Sequence, residues 1–164
     1  MLRTMRIFVY IIAVLIAVAF CSSAEPNKSP SYQDYAVTNI FKGKPATVCL
    51  SSNPQARLYR TELRRQAAEG PNFAGHYKIA IWGCGSSCQQ FAIVDSQTGR
   101  VYFPPELRSV TYVNWHGDDV GLQFRIDSRL LVVHGSPEEQ PKVGTFYYVW
   151  QTRTLRLIRS ELQK

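Results

Sequence analysis

Two hydrophobic periodicities divide this chain. In "SSNPQARLYRTELRRQAAEGP", Ala56, Tyr59, Leu63 and Ala67 recur at the spacing of one helix face. Asn53 is a residue type that caps free helix amides, Pro54 suits the first helical position, and Gly70-Pro71 supplies the stop. The pattern predicts a helix over about 54–69. Arg57, Arg60 and Arg64 form a second stripe on it, read as a solvated face, with Arg65 and Glu69 paired at i,i+4.

From Tyr77 onward the period falls to two. "YKIAIW" alternates Tyr77, Ile79 and Ile81 with Lys78, Ala80 and Trp82. "QFAIV" and "RVYF" flank "DSQTG", "LQFRI" and "RLLVV" flank Asp127-Ser128, and "TFYYVW" and "LRLIR" flank "QTRT". Each pair reads as a hairpin around turn residues. "VTYVNW" (110–115) adds a strand, and "HGSPEEQPKVG" (134–144) reads as a long polar loop. Before the helix, "VTNIF" (37–41) and "ATVCL" (46–50) read as short strands. The fold expected is α+β and predominantly antiparallel β. It is a meander of hairpins forming a curled sheet or partial barrel, with the helix against a sheet face or plugging one end. No repeat of about 40 residues is present, so a propeller is not supported.

The N-terminus changes the compartment. Arg3 and Arg6 precede the apolar run "IFVYIIAVLIAVAF", and "CSSAE" follows with small residues at Ser22 and Ala24. These are the parts of a secretory signal over 1–24. The apolar run falls short of the roughly 20 residues that span a bilayer, so membrane attachment arises only if the segment is retained. Bulky Phe20 before Cys21 argues against a lipidated cysteine. Residues 25–36, "EPNKSPSYQDYA", read as a flexible lead-in, and 37–164 as a single globular domain. The chain carries a net charge of +7; without Arg3 and Arg6, 17 basic residues face 12 acidic ones. In an exported chain this excess is solubility charge rather than a nucleic-acid footprint.

The candidate chemistry lies in "WGCGSSCQQ", residues 82–90. An exported protein keeps disulfides. Cys84 and Cys88 in an extended strand would stand roughly 13 Å apart, whereas a bridge needs about 4.4–6.8 Å between Cα atoms. A tight turn is therefore required, and Gly83, Gly85, Ser86 and Ser87 permit one. Cys49 could pair with either cysteine, since sequence alone does not fix connectivity, but it reads first as a buried, apolar-like thiol within "ATVCL". A metal reading joins Cys84 and Cys88 to a histidine, His76 in the first instance, with His116 and His134 from other hairpins. C-x₃-C alone matches no standard zinc spacing. A redox reading lacks both the C-x-x-C spacing and its usual βαβ context. There is no G-x-S-x-G, H-E-x-x-H or phosphate-binding glycine loop. Asp118-Asp119 and Glu138-Glu139 read as solvated, and His76 with Asp95 and Asp127, all near strand ends, is the best improvised constellation.

"GPNFAGHYKIAIWGCGSSCQQFAIVDSQTGRVYFPP" (70–105) resembles the signature of small exported proteins of Gram-negative bacteria, with N-F-A-G-H-Y, W-G-C-G-x-x-C-Q and D-x-x-T-G elements. "FRIDSRLLVV" and "FYYVW" resemble the rest of that family, so the likeness covers about residues 50–160. It implies an envelope address and assigns no activity. It singles out Asn72, Phe73, Gly75 and His76 with the cysteine loop, and these have structural roles as the simplest reading. Cys49 lies outside the pattern, which favours the Cys84–Cys88 pairing.

The expected function is that of a periplasmic or secreted binding or inhibitor-like protein, more a binder than an enzyme, with no cofactor and no metal. Its expected partner is an envelope protein or cell-wall component. The expected binding residues are His76, Trp82, Gly83, Gly85, Ser86, Ser87 and Gln89, around a Cys84–Cys88 disulfide. The alternatives are an envelope metal-handling or thiol-dependent enzyme using His76, Cys84 and Cys88, and a purely structural envelope protein.

Overall fold

A computed structural model describes residues 28–164. The signal segment expected at 1–24, Cys21 and the start of the lead-in lie outside the described residues.

The period-two half of the chain forms one antiparallel sheet of eight strands. They are β1 (Tyr77–Gly85), β2 (Cys88–Asp95), β3 (Val101–Tyr102), β4 (Ser109–Thr111), β5 (Gly121–Phe124), β6 (Leu130–Pro137), β7 (Gly144–Gln151) and β8 (Thr154–Leu162). The order is β1-β2-β4-β6-β7-β8, with β3 beside β2 and β5 beside β6. The sheet is open, because β1 and β8 stand at opposite ends of that path and do not pair. The fold is thus α+β and mostly antiparallel, without the curling or partial barrel also expected. Helix α1 (Arg60–Ala67) packs on a sheet face, against β1 and β2, rather than plugging an end.

The alternation in β1 sends its residues to two cores. Tyr77, Ile79 and Ile81 join Phe91, Ile93, Val110, Leu131, Val133 and Trp150. Ala80 and Trp82 face the helix, where Ala56, Leu63, Ala67, Ala92 and Val94 pack. The helix face read from sequence is therefore correct. Its continuity is not: Pro54–Arg57 is a 3-10 turn, capped by the Asn53 side chain on the Gln55 amide, and the α-helix starts only at Arg60. Arg65 lies 3.6 Å from Glu69 as expected, but closer to Glu62, at 2.7 Å.

Several expected strands shorten or lengthen. Residues 37–41 form no strand; instead the Val37 and Phe41 amides donate to the Asp127 and Gly75 carbonyls. Residues 46–50 contribute a single parallel bridge, Cys49 to Arg100. "VTYVNW" is extended only to Thr111, and β6 continues through His134 to Pro137, into the expected polar loop. The lead-in docks: Tyr32–Tyr35 forms a 3-10 turn, Ser128 Oγ donates to the Tyr32 carbonyl, and Arg125 lies over the Tyr32 ring at 5.6 Å.

The outer edge of β1 is closed by side chains. A strand at a sheet edge leaves alternate N–H and C=O groups without a partner strand. At Tyr77 these groups bond the backbone of Asn72 and Phe73. At Ile79 they meet the Asn72 amide, which accepts from Ile79 N at 2.8 Å and donates to Ile79 O at 3.2 Å. At Ile81 they meet Gln66 of α1 in the same two-way manner, at 2.9 and 2.8 Å. Each primary amide imitates one residue of a missing strand, since it offers one donor and one acceptor in a plane. Between them Lys78, 7% exposed, reaches Glu69 at 2.8 Å.

Two outcomes are expected. Gln66→Ala should lower stability by roughly 1–2 kcal/mol through two backbone groups left without their partner, and should speed amide exchange at Ile81 with little change at Ala92; unchanged exchange at Ile81 contradicts the edge role. The Glu69 carboxyl is held below its ordinary 4.5 chiefly by the Lys78 hydrogen bond. Its stabilising contribution is present above pH 4.5 and is lost as pH falls through the lowered value. Glu69→Gln should therefore flatten the acid limb of a denaturation-versus-pH profile.

Candidate functional site

Beyond Ile81, no side chain among the described residues continues the edge closure, and β1 and β2 run out as a hairpin. Gly85 pairs with Cys88, so the turn is only Ser86-Ser87. Gly85 at φ +137° and Ser87 at φ +52° bend it, and glycine takes the first of these without the cost a side chain would carry. Cys84 and Cys88 are joined by a disulfide with Cα atoms 5.2 Å apart. Gly83, Cys84, Gly85 and Ser86 are exposed, while Cys88 is buried. The bond thus ties an exposed tip to a strand rooted in the core.

Trp82 lies at the base of this tip, on the helix side. It stacks on Tyr59, with ring centroids 4.3 Å apart, and Phe103 meets both rings at 6.2 and 5.9 Å. Trp82 is neither fully exposed nor fully core; it is half-buried. The polar edges of Trp82 and Tyr59 converge on one atom: Gln90 Oε1 accepts from Trp82 Nε1 at 3.2 Å and from Tyr59 Oη at 3.3 Å. These residues line a cleft of about 310 Å³ with Gln55, Pro105 and Arg108.

The remaining expected site residues go elsewhere. Gln89 Oε1 accepts the Leu122 amide at 3.4 Å and packs on Gly121, where a Cβ would collide with it. Gln89 therefore fastens β2 to the start of β5. His76 precedes β1, whereas Cys84 is near its end; eight residues of extended chain put them roughly 26 Å apart. The structure thus separates His76 from the cysteines. Its carbonyl accepts the Ser96 amide, and its ring lies on Tyr77 at 4.1 Å, beside a separate hollow of about 480 Å³ lined also by Arg129 and Trp150. His134 contacts Thr145 at 3.2 Å and His116 contacts Gln163 at 2.6 Å. Among the described residues no three His, Cys, Asp or Glu side chains form a metal-binding group.

Asn72, Phe73 and Gly75 have structural roles. Asn72 caps the β1 edge, Phe73 is fully buried, and Gly75, at φ +84°, lies so close to the Asn39 carbonyl that a Cβ would approach it to 2.5 Å. Asp95 spends its carboxylate on Gln97 and Thr98, and Asp127 on Arg125. Glu138 does not stand in solvent; it accepts the Arg108 and Ser109 amides. Cys49 is a free thiol, partly exposed, contacting the Ser51 hydroxyl at 3.3 Å. That hydrogen bond, more than any other influence, lowers its pKa. It is thus not the buried thiol expected.

Tyr59, Gln90, Phe103 and Arg108 were not singled out in the sequence. Tyr59 was assigned to the helix's packed face, and the others lie on strands and loops whose juxtaposition is tertiary. The available signal was Trp82 opposite Gln90 across a two-residue turn. Comparison with family models, curated proteins and solved structures finds no match for this chain.

Replacing Cys84 and Cys88 by serine should cost about 2 kcal/mol, the loop-closure value for so short a loop. Pairing of Ala80 with Ala92 should persist. Global unfolding of the double variant at 25 °C would contradict a tip-locking role.

Proposed function

We propose that this protein is an exported binding protein of the periplasm or cell surface. It presents a disulfide-pinned hairpin tip, in the manner of an inhibitor loop, to an envelope protein or cell-wall component. The observation that carries this reading is the contiguity of tip and cleft. Trp82 belongs to both: it is the strand residue from which the tip projects, and it forms the wall of the aromatic cleft. A partly buried tryptophan in a preformed hollow beside rigid exposed backbone is the usual anatomy of a binding hot spot. The disulfide lowers the ordering cost a flexible tip would incur on binding. Ser86, Ser87, Gly83 and Gly85 then offer backbone and hydroxyl groups for hydrogen bonds around that anchor.

The thiol-enzyme reading finds less support. Both candidate thiols are consumed in the disulfide, and His76 stands before the start of β1, at the opposite end from the cysteines. A purely structural role leaves the Trp82 cleft without a use.

The test is co-sedimentation of the purified oxidised protein with isolated cell-wall sacculi and, separately, with membrane vesicles from the same envelope. The expected result is saturable retention by one fraction, reduced at least about tenfold by Trp82→Ala, while Leu58→Ala, at an exposed turn position (77%), behaves as wild type. Retention by neither fraction, or equal retention of Trp82→Ala in its folded form, would count against the proposal.

A further inference from the structure

The hydrogen-bond inventory of the cleft narrows its ligand. Indole N–H is only a donor, so the Gln90 atom it meets is the amide oxygen, and Gln90 Nε2 is the free end. The single acceptor of that side chain already receives two bonds, from Trp82 and Tyr59. What remains on the cleft wall is dominated by donors: the two N–H groups of Gln90, the side-chain amide of Gln55, and the guanidinium of Arg108. Among the described residues, no hydrogen bond or ion pair engages the Gln55 side-chain amide, Gln90 Nε2 or the Arg108 guanidinium. No carboxylate lines the cleft, and Arg108 is its one charged residue. Oε1 of Glu138 accepts the Arg108 and Ser109 backbone amides, and Glu138 does not line the cleft.

The rest of the wall is largely aromatic. Tyr59 and Trp82 stack on each other with an interplanar angle of 27°, Phe103 packs at an angle to both, and Pro105 borders them. Such a wall favours a body that is flat, has C–H groups on one face, and carries acceptors around its rim. A pyranose ring meets that description, and a carboxylate on the ring satisfies Arg108 by a paired, charge-assisted contact. At about 310 Å³ the cleft sits at the low end for small-molecule sites, which suits one or two sugar units of a longer chain. An extended acidic peptide would supply the carboxylate but no flat face for the Tyr59–Trp82–Phe103 wall.

We infer that the cleft binds an acidic saccharide, its ring packed against the aromatic wall of Trp82, Tyr59 and Phe103, its carboxylate on Arg108, and its ring oxygens or hydroxyls on Gln55 and Gln90. This rests on the binding reading above and specifies its ligand chemistry. No bond is made or broken.

The test is calorimetric titration of the full-length protein, disulfide intact, with three probes: tetragalacturonate, its fully methyl-esterified form, and tetraglutamate. The ester keeps the rings and removes the charge; the peptide keeps the charge and removes the rings. Saturable binding is expected for tetragalacturonate, weaker by at least about tenfold for the ester, and undetectable for tetraglutamate. Arg108→Gln, a change at an exposed position, should cost at least about tenfold in affinity for the acid and little for the ester. Trp82→Ala should abolish binding of both sugars, with near-ultraviolet circular dichroism verifying its fold. Equal binding of acid and ester, binding of tetraglutamate, or no binding of tetragalacturonate would each overturn the inference. Should sacculi still retain the wild type through Trp82 while tetragalacturonate fails to bind, the ligand class falls and the binding reading stands.

Discussion

An edge strand carries polar backbone groups that need partners, and the way β1 finds them organises the rest of the molecule. Tyr77 turns back on Asn72 and Phe73, Ile79 is held by the Asn72 amide, and Ile81 by the Gln66 amide. The second of these amides belongs to α1, so closing the edge and seating the helix are one event. The apolar face of α1 then covers Ala80 and Ala92. The closure ends at Ile81, and the hairpin tip lies beyond it. Tyr59, just before α1, is brought onto Trp82 by the same docking. Site and scaffold thus share a single constraint.

The disulfide acts on top of this arrangement rather than creating it. Strand pairing from Tyr77–Asp95 to Gly83–Gln89 is already in place below the bond. What the bond adds is confinement of the last residues, where glycines would otherwise leave the chain loose. An oxidising compartment is compatible with such a link. The lowered pKa of Cys49 sits apart from this; it reflects Ser51 beside it and no link to the tip.

Period-two alternation made β1 and the three hairpins β2–β3, β5–β6 and β7–β8 legible, because each strand sends alternate side chains to defined surfaces. The strand at 37–41 was misread because its apolar residues pack as a loop, with Val37 and Phe41 bonded to turns at Asp127 and Gly75. Local pattern does not distinguish a braced loop from an edge strand. The helix was legible in its face but not in its break, since Pro54 and Asn53 favour a helical start that here closes as one 3-10 turn. Of the site, the cysteine turn and Trp82 were visible as spacing and composition. The cleft was not: Tyr59 comes from just before α1, and Phe103 and Arg108 from the β3–β4 connection, and only tertiary packing brings the two segments together. Gln89 and Gln90 looked alike in sequence, and strand alternation sends one to β5 and the other to Trp82.

The central claim is that the molecule binds through the tip and cleft at the far end of β1, not through the His76 hollow at its near end. Amide and indole chemical-shift mapping with soluble cell-wall fragments separates the two directly. The account predicts perturbations concentrated at Tyr59, Trp82, Gln90 and Cys84–Cys88. Perturbations gathered instead at His76, Tyr77 and Trp150, with the cleft silent, would contradict it.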